Sequence, residues 1–145
     1  MVEKILSRWR ALGKPLYIVP IDFRDKIMFD LQRVLRLDFL KWLSNGLEID
    51  ILELVPILII LSSSPIDWRL RNLYDIFNLT ETEELTKDEF FFMCEKVVLA
   101  ISSTFQVSFE HLRSIFSLYK KELDLFEKRD SISKSTFVNK TTAIF

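Results

Sequence analysis

The sequence predicts an all-α protein, and three observations support that prediction. Apolar residues recur at intervals of three and four along most of the chain, which is the spacing of one helix face. Helix start signals precede several of these stretches, among them Ser64-Pro65 and the pair Thr86 and Glu89. Only 2 of the 145 residues are glycine, which argues against folds rich in tight β-turns and against glycine-rich phosphate loops.

The composition is that of a compact module without a strong net charge. The chain is 49% hydrophobic and contains 13 phenylalanines, so it can bury a sizeable core. Its 20 basic and 21 acidic residues leave a net charge of -1, which does not favour nucleic acid or an anionic membrane as a partner. A single cysteine excludes an intramolecular disulfide and fits a reducing compartment, so we expect a cytoplasmic protein.

Residues 1–21 are predicted to form an N-terminal arm. Its short amphipathic helix carries apolar residues at helical spacing, namely Ile5, Leu6, Trp9 and Leu12. Gly13 and Pro15 end this helix. Residues 14–23 contain two prolines, so we expect an extended segment that packs on its own domain or docks on a neighbour.

Residues 22–61 predict two helices joined by a turn. The first helix runs from Asp22 to Leu43 with a broad apolar face that includes Ile27, Leu31, Val34, Leu35, Phe39 and Trp42. A turn is expected at residues 44–46, and the second helix ends at Leu61. The apolar run 54–61 is far shorter than the roughly twenty residues that span a bilayer. We therefore expect a buried helix and no membrane span.

Residues 64–101 predict a helix, a twelve-residue loop and a second helix. We expect Ser64 to cap the first helix, whose apolar face consists of Ile66, Leu70, Leu73, Tyr74 and Phe77. Thr86 and Glu89 have the spacing of a capping box at the start of the second helix. If Glu89 only caps, Glu89→Gln should cost about a few tenths of a kcal/mol, because glutamine also serves in a capping box.

The segment resembles an EF-hand, because loop 78–89 has the length of the family's twelve-position loop. Phe77 and Phe90 flank the loop, where the family commonly has aromatic residues. The resemblance implies cation ligands at Asn78, Thr80, Thr82, Glu84 and Glu89. Among the positions that bind through side chains, only Glu89 is acidic, and Glu83 stands where the family has a turn-forming glycine. We therefore expect a loop that has lost its ion, with a weak calcium site at 78–89 as the alternative.

The spacing of the sequence extends the resemblance to residues 22–61. Ile49 and Leu85 would occupy the same loop position in two hands that lie 36 residues apart (85 − 49), about the separation of paired hands in calmodulin-like proteins. Glu53 would then correspond to Glu89. Hands of this family pair through a short two-stranded contact at this position, so we expect Ile49 beside Leu85.

Residues 102–145 resemble a third, degenerate hand. A loop at 102–108 precedes a helix that Ser108 opens. Ile132 would take the position of Leu85, and Thr136 replaces the glutamate that would bind the ion. With no fourth hand, we expect the strand at Ile132 to be unpaired and available to a second copy of the chain or a larger partner.

The resemblance implies a non-catalytic binding or structural subunit, similar to calmodulin and the myosin light chains but calcium-independent. Such a subunit would engage an amphipathic helix or another EF-hand in a multi-protein, cytoskeletal assembly. The alternative is a calcium sensor with one weak site. We expect no enzyme, since a single histidine and a single cysteine, His111 and Cys94, give neither a catalytic triad motif nor a zinc site. We also expect no cofactor.

Three consecutive phenylalanines, residues 90–92, indicate where a partner would bind. Successive helix side chains point about 100° apart, so these rings cannot all face one core. We expect at least one to point outward, with a helix buried on most sides as the alternative. The predicted partner-binding residues are Phe91, Phe92, Ile132, Ile144 and Phe145.

Overall fold

The computed structural model describes residues 1–30, 48–114 and 126–143. These residues are mostly helical, as predicted, and include two short two-stranded sheets. In chain order the elements are α1 (Val2–Ala11), β1 (Tyr17–Ile18), α2 (Pro20–Asp22) with a π-helical turn (Phe23–Ile27), β2 (Ile49–Asp50), α3 (Ile51–Leu61), α4 (Ile66–Phe77), β3 (Glu84–Thr86), α5 (Lys87–Phe105), β4 (Ser131–Ser133) and α6 (Lys134–Thr142). Residues 109–114 are also helical.

The strands pair within each half of the chain. β1 and β2 are antiparallel with Ile18 opposite Ile49, and β3 and β4 are antiparallel with Leu85 opposite Ile132. The predicted contact between Ile49 and Leu85 is therefore wrong. The prediction that Ile132 lacks a mate within the chain is also wrong. The N-terminal segment supplies a strand for Ile49, which leaves Leu85 free to satisfy the backbone groups at Ile132.

The N-terminal arm packs on its own domain, which is one of the two predicted outcomes. The apolar face of α1 is buried at Val2, Ile5, Leu6 and Trp9. The indole Nε1 of Trp9 donates a hydrogen bond to the Pro15 carbonyl at 2.8 Å. The chain is helical again from Pro20, at the first helical position, where a proline loses no hydrogen bond. The extended part is thus shorter than predicted.

The helix predicted from Asp22 to Leu43 does not continue through residues 28–30, which form a bend and a turn. Arg8 explains this end. Its guanidinium donates to the carbonyl of Ile27 at 2.7 Å and forms two bonds to the Asp30 carboxylate at 2.6 and 2.9 Å. A charged donor from α1 therefore satisfies the last turn. The rest of the predicted helix and the turn at 44–46 lie outside the described residues.

Helix α3 lies at the centre of the core. Eight of its eleven residues are buried, and a continuous cluster of buried apolar side chains joins it to both halves of the chain. Its N-cap is Asp50, whose carboxylate accepts a bond from the Leu52 amide at 3.0 Å. The helix ends at Leu61, as predicted. Within the described ranges, no helix is both long and apolar enough to cross a bilayer.

Two helix ends differ from the sequence predictions. Helix α4 has Pro65 at its N-cap, so Ser64 does not cap it. The Arg69 guanidinium instead holds the Ser64 carbonyl at 2.8 Å. Helix α5 continues to Phe105, so the predicted loop at 102–105 is wrong. The helix ends where Gln106 adopts a left-handed conformation with φ of 54°.

Candidate functional site

The end of loop 78–89 forms the predicted capping box, in which Thr86 is the N-cap of α5. The Thr86 hydroxyl accepts a hydrogen bond from the Glu89 amide at 3.2 Å. The Glu89 Oε2 accepts one from the Thr86 amide at 2.9 Å. This reciprocal pair satisfies two backbone donors that a helix start leaves free.

The Glu89 carboxylate does more than cap the helix. Its Oε1 accepts bonds from both the amide and the hydroxyl of Thr80, each at 2.8 Å. Its Oε2 also accepts a bond from the Thr86 hydroxyl at 3.1 Å. Each oxygen therefore accepts two protein donors, and the residue is only 7% exposed. A cation bound by both oxygens would have to displace these donors.

The pKa of Glu89 reflects the same contacts. Burial acts to raise the pKa of this carboxyl, but the hydrogen bonds from Thr86 and Thr80 together hold it below its ordinary value. The group is therefore ionised at neutral pH. Its negative charge is stabilised by hydrogen bonds within the protein.

The other loop residues bond mainly to one another. The Asn78 amide donates to the Thr82 carbonyl at 2.6 Å, and the Thr82 hydroxyl donates to the Glu84 carbonyl at 2.6 Å. The buried Oδ1 of Asn78 has no donor among the described residues. The left-handed residue of this loop is Glu81, with φ of 52°, whereas the sequence placed the strained turn at Glu83. Across the parts of the chain that the structure describes, no group of three or more His, Cys, Asp or Glu side chains could hold a metal ion.

A second polar cluster lies at the start of α3. The Lys96 ammonium, from α5, lies 2.5 Å from Asp50 Oδ2 and 3.6 Å from Glu53 Oε1. Burial acts to lower the pKa of Lys96, but the bond to Asp50 and the charges of both carboxylates raise it above its ordinary value. Burial raises the pKa of Glu53, the nearby Asp50 charge adds to that rise, and Lys96 opposes it. The sequence repeat identified Glu53, but it gave no signal for Lys96.

The Tyr74 hydroxyl joins the two strands of the second sheet. It donates to the Ile132 carbonyl and accepts from the Leu85 amide, both at 2.8 Å. Burial raises the pKa of this phenol. The sequence predicted only that Tyr74 lies on an apolar helix face. The signal for this role is the presence of a tyrosine on an otherwise apolar face, since a buried tyrosine needs a hydrogen-bond partner for its hydroxyl.

The phenylalanine run divides as predicted. Phe90 is buried and packs 5.4 Å from the Phe126 ring centroid, and Phe92 is half-buried with its centroid 6.1 Å from that of Phe77. Phe91 is 39% exposed, so one ring does point outward. Whether Phe91 or Phe92 contacts a partner stays a prediction.

The predicted docking edge at Ile132 is wrong. The side chain is only 3% exposed, and its backbone is paired with Leu85. The two other predicted contact residues, Ile144 and Phe145, lie outside the described residues.

Comparisons with protein-family models, with curated proteins and with solved structures find no match to this chain. The contacts of Glu89, Lys96 and Tyr74 are therefore the basis for assigning a function.

Proposed function

We propose that the chain is a calcium-independent, EF-hand-like protein that acts as a non-catalytic binding or structural subunit. The main support for this proposal is the Glu89 carboxylate, whose two oxygens accept four hydrogen bonds from Thr80 and Thr86. Under the EF-hand interpretation Glu89 stands at the position that binds calcium with both oxygens. The protein's own donors take the place of the ion there.

The arrangement of strands and helices supports this proposal. Each of the four strands in the described residues is followed within two residues by a helix, and these strands pair two by two. EF-hands pair through contacts of this kind. The proposed protein then has four hand-like units, in which α1, β1 and α2 form the first. The sequence suggested three.

The proposed partner is an amphipathic helix of a larger protein, in a cytoplasmic assembly of cytoskeletal kind. The exposed Phe91 ring on α5 supports an apolar contact of this sort, since exposed aromatic surface often marks a binding site. Binding would not depend on calcium. Pairing of β3 with β4 removes the reason for proposing a homodimer through Ile132.

One observation favours the alternative, a calcium sensor with one weak site. The buried Asn78 Oδ1 has no donor in the described part of the chain, and it stands at the first ligand position of the loop. An oxygen in that state could accept a cation. Glu89 opposes this alternative, because binding would require it to release Thr80.

A calcium titration tests the proposal. We expect millimolar calcium to leave the thermal midpoint of unfolding unchanged in scanning calorimetry, relative to a sample with chelator. A ligand at a hundred times its dissociation constant would add about 2.7 kcal/mol to the free energy of unfolding. A rise that chelator reverses, and that Asn78→Ala abolishes, would establish the sensor instead.

A further inference from the structure

A largely buried lysine side chain joins two elements that are distant in sequence. Lys96 on α5 reaches Asp50 and Glu53, which lie at the start of α3, 46 residues away in the case of Asp50. The side chains of Lys96, Asp50 and Glu53 are 15%, 9% and 20% exposed. A charge pair with so little water around it is screened much less than a pair on the surface.

The surroundings of the ammonium fix its position. Asp50 uses its Oδ1 to cap α3 at the Leu52 amide, at 3.0 Å, and its Oδ2 to bind Lys96. The ammonium also lies 5.7 Å from the centre of the Phe92 ring, within the range of a cation–π contact. The titratable groups that influence it are the two carboxylates and the Tyr17 phenol.

We propose that Lys96 is a built-in cation, which holds α5 against α3 in place of a loop-bound metal ion. This rests on the proposed function, because under the EF-hand interpretation Asp50 and Glu53 stand at loop positions 9 and 12, where oxygen ligands converge on calcium. A soluble ion arrives and leaves, whereas an ammonium on a covalent stem does not. The two halves of the molecule therefore stay closed on each other at all calcium concentrations. A partner is left with the outer face of α5, where Phe91 lies, and not with a cleft between α3 and α5.

Hydrogen exchange of the full chain tests this assignment, with chelator present throughout. Lys96→Met removes the charge and keeps a long apolar stem, and Lys96→Arg is the matched control that keeps the charge. At pH 7.5 we expect Lys96→Met to lower the protection of the Ile51–Leu61 and Lys87–Phe105 amides by about tenfold or more, because it leaves buried carboxylates unpaired. Lys96→Arg should lose much less.

Two further measurements separate the effect of the Lys96 charge from the effect of packing its aliphatic stem. At pH 5 the loss in Lys96→Met should shrink, since burial raises the pKa of Glu53 and the Lys96 charge that opposes this rise is gone, so Glu53 takes up a proton more readily. The triple variant Lys96→Met, Asp50→Asn, Glu53→Gln should recover most of the protection at pH 7.5, and it serves also if the single variant does not fold. An unchanged protection factor in Lys96→Met would overturn the proposal. So would a loss that is equal at both pH values, or a triple variant as impaired as the single one.

The presence of chelator keeps this test independent of the proposed function. A calcium site at residues 78–89 would overturn calcium independence in the titration. It would not change the exchange results, because no calcium is bound during them.

Discussion

Substituting Glu89 with glutamine is the sharpest test of the loop. The residue is 7% exposed, and its four accepted bonds come from two amides and two hydroxyls, at distances between 2.8 and 3.1 Å. Glutamine has one acceptor oxygen and one NH₂ group. Whichever way it is oriented, its NH₂ group faces the amide of either Thr80 or Thr86, so a donor meets a donor.

The magnitude follows from that mismatch. A buried donor left without a partner costs about 1–3 kcal/mol, and a hydrogen bond to a charged group contributes about 1.5–3 kcal/mol. The hydroxyls can rotate and accept from the new NH₂ group, which returns part of this loss. We therefore expect Glu89→Gln to lower the free energy of unfolding by about 2–3 kcal/mol. That exceeds the few tenths expected from sequence, which considered the capping box alone.

Urea unfolding of the calcium-free protein measures this difference. The matched control is Glu83→Gln, which makes the same chemical change at an exposed residue of the same loop and should stay within about 0.5 kcal/mol of the parent. If Glu89→Gln loses no more than the control, the four bonds do not stabilise the loop as described.

The pH dependence gives a second reading of the same variant. The pKa of Glu89 is lower in the folded protein than its ordinary value. The stability it contributes is therefore fully present above the unfolded pKa of about 4.3 and is lost as the pH falls through the folded pKa. The gap between the parent and Glu89→Gln should be constant near pH 7 and should narrow below about pH 4. A gap that widens on acidification would contradict the assigned direction.

Two other pairs of substitutions test the packing and the proposed binding face. Tyr74→Phe removes the hydroxyl that bridges β3 and β4, so we expect a loss of about 1–3 kcal/mol in urea unfolding, whereas Tyr17→Phe, at a residue that is 51% exposed, should change little. Phe90→Ala should cost about 3–5 kcal/mol because the ring is buried, while Phe91→Ala should keep the fold and weaken binding of the native partner. A fully stable Phe90→Ala, or an unaffected complex with Phe91→Ala, would contradict these assignments.

Local signals in the sequence determined much of the secondary structure. The capping box of Thr86 and Glu89 formed as predicted, and Ser108 opens a helix, with the Leu112 amide bonded to its carbonyl at 3.1 Å. The helical periodicity also located most of the buried faces of α1 and α4. It was wrong at one end of each face, because Leu12 and Ile66 are 42% and 37% exposed. These features depend on residues within about one helical turn of each other, and sequence spacing reports such neighbours directly.

The tertiary structure alone decided which strands pair and which charges meet. Strands of two or three residues carry little register information. The sequence therefore led to pairing of Ile49 with Leu85, whereas Ile49 in fact pairs with Ile18. Residues 14–23 contain two prolines and were predicted to be extended, so the sequence did not predict the paired strand at Tyr17–Ile18 or the helix that begins at Pro20. Lys96 had no sequence signal at all. Its bond to Asp50 spans 46 residues and exists because packing of α5 on α3 brings the ammonium to a carboxylate, and long-range packing of this kind is set by the whole core and not by local spacing.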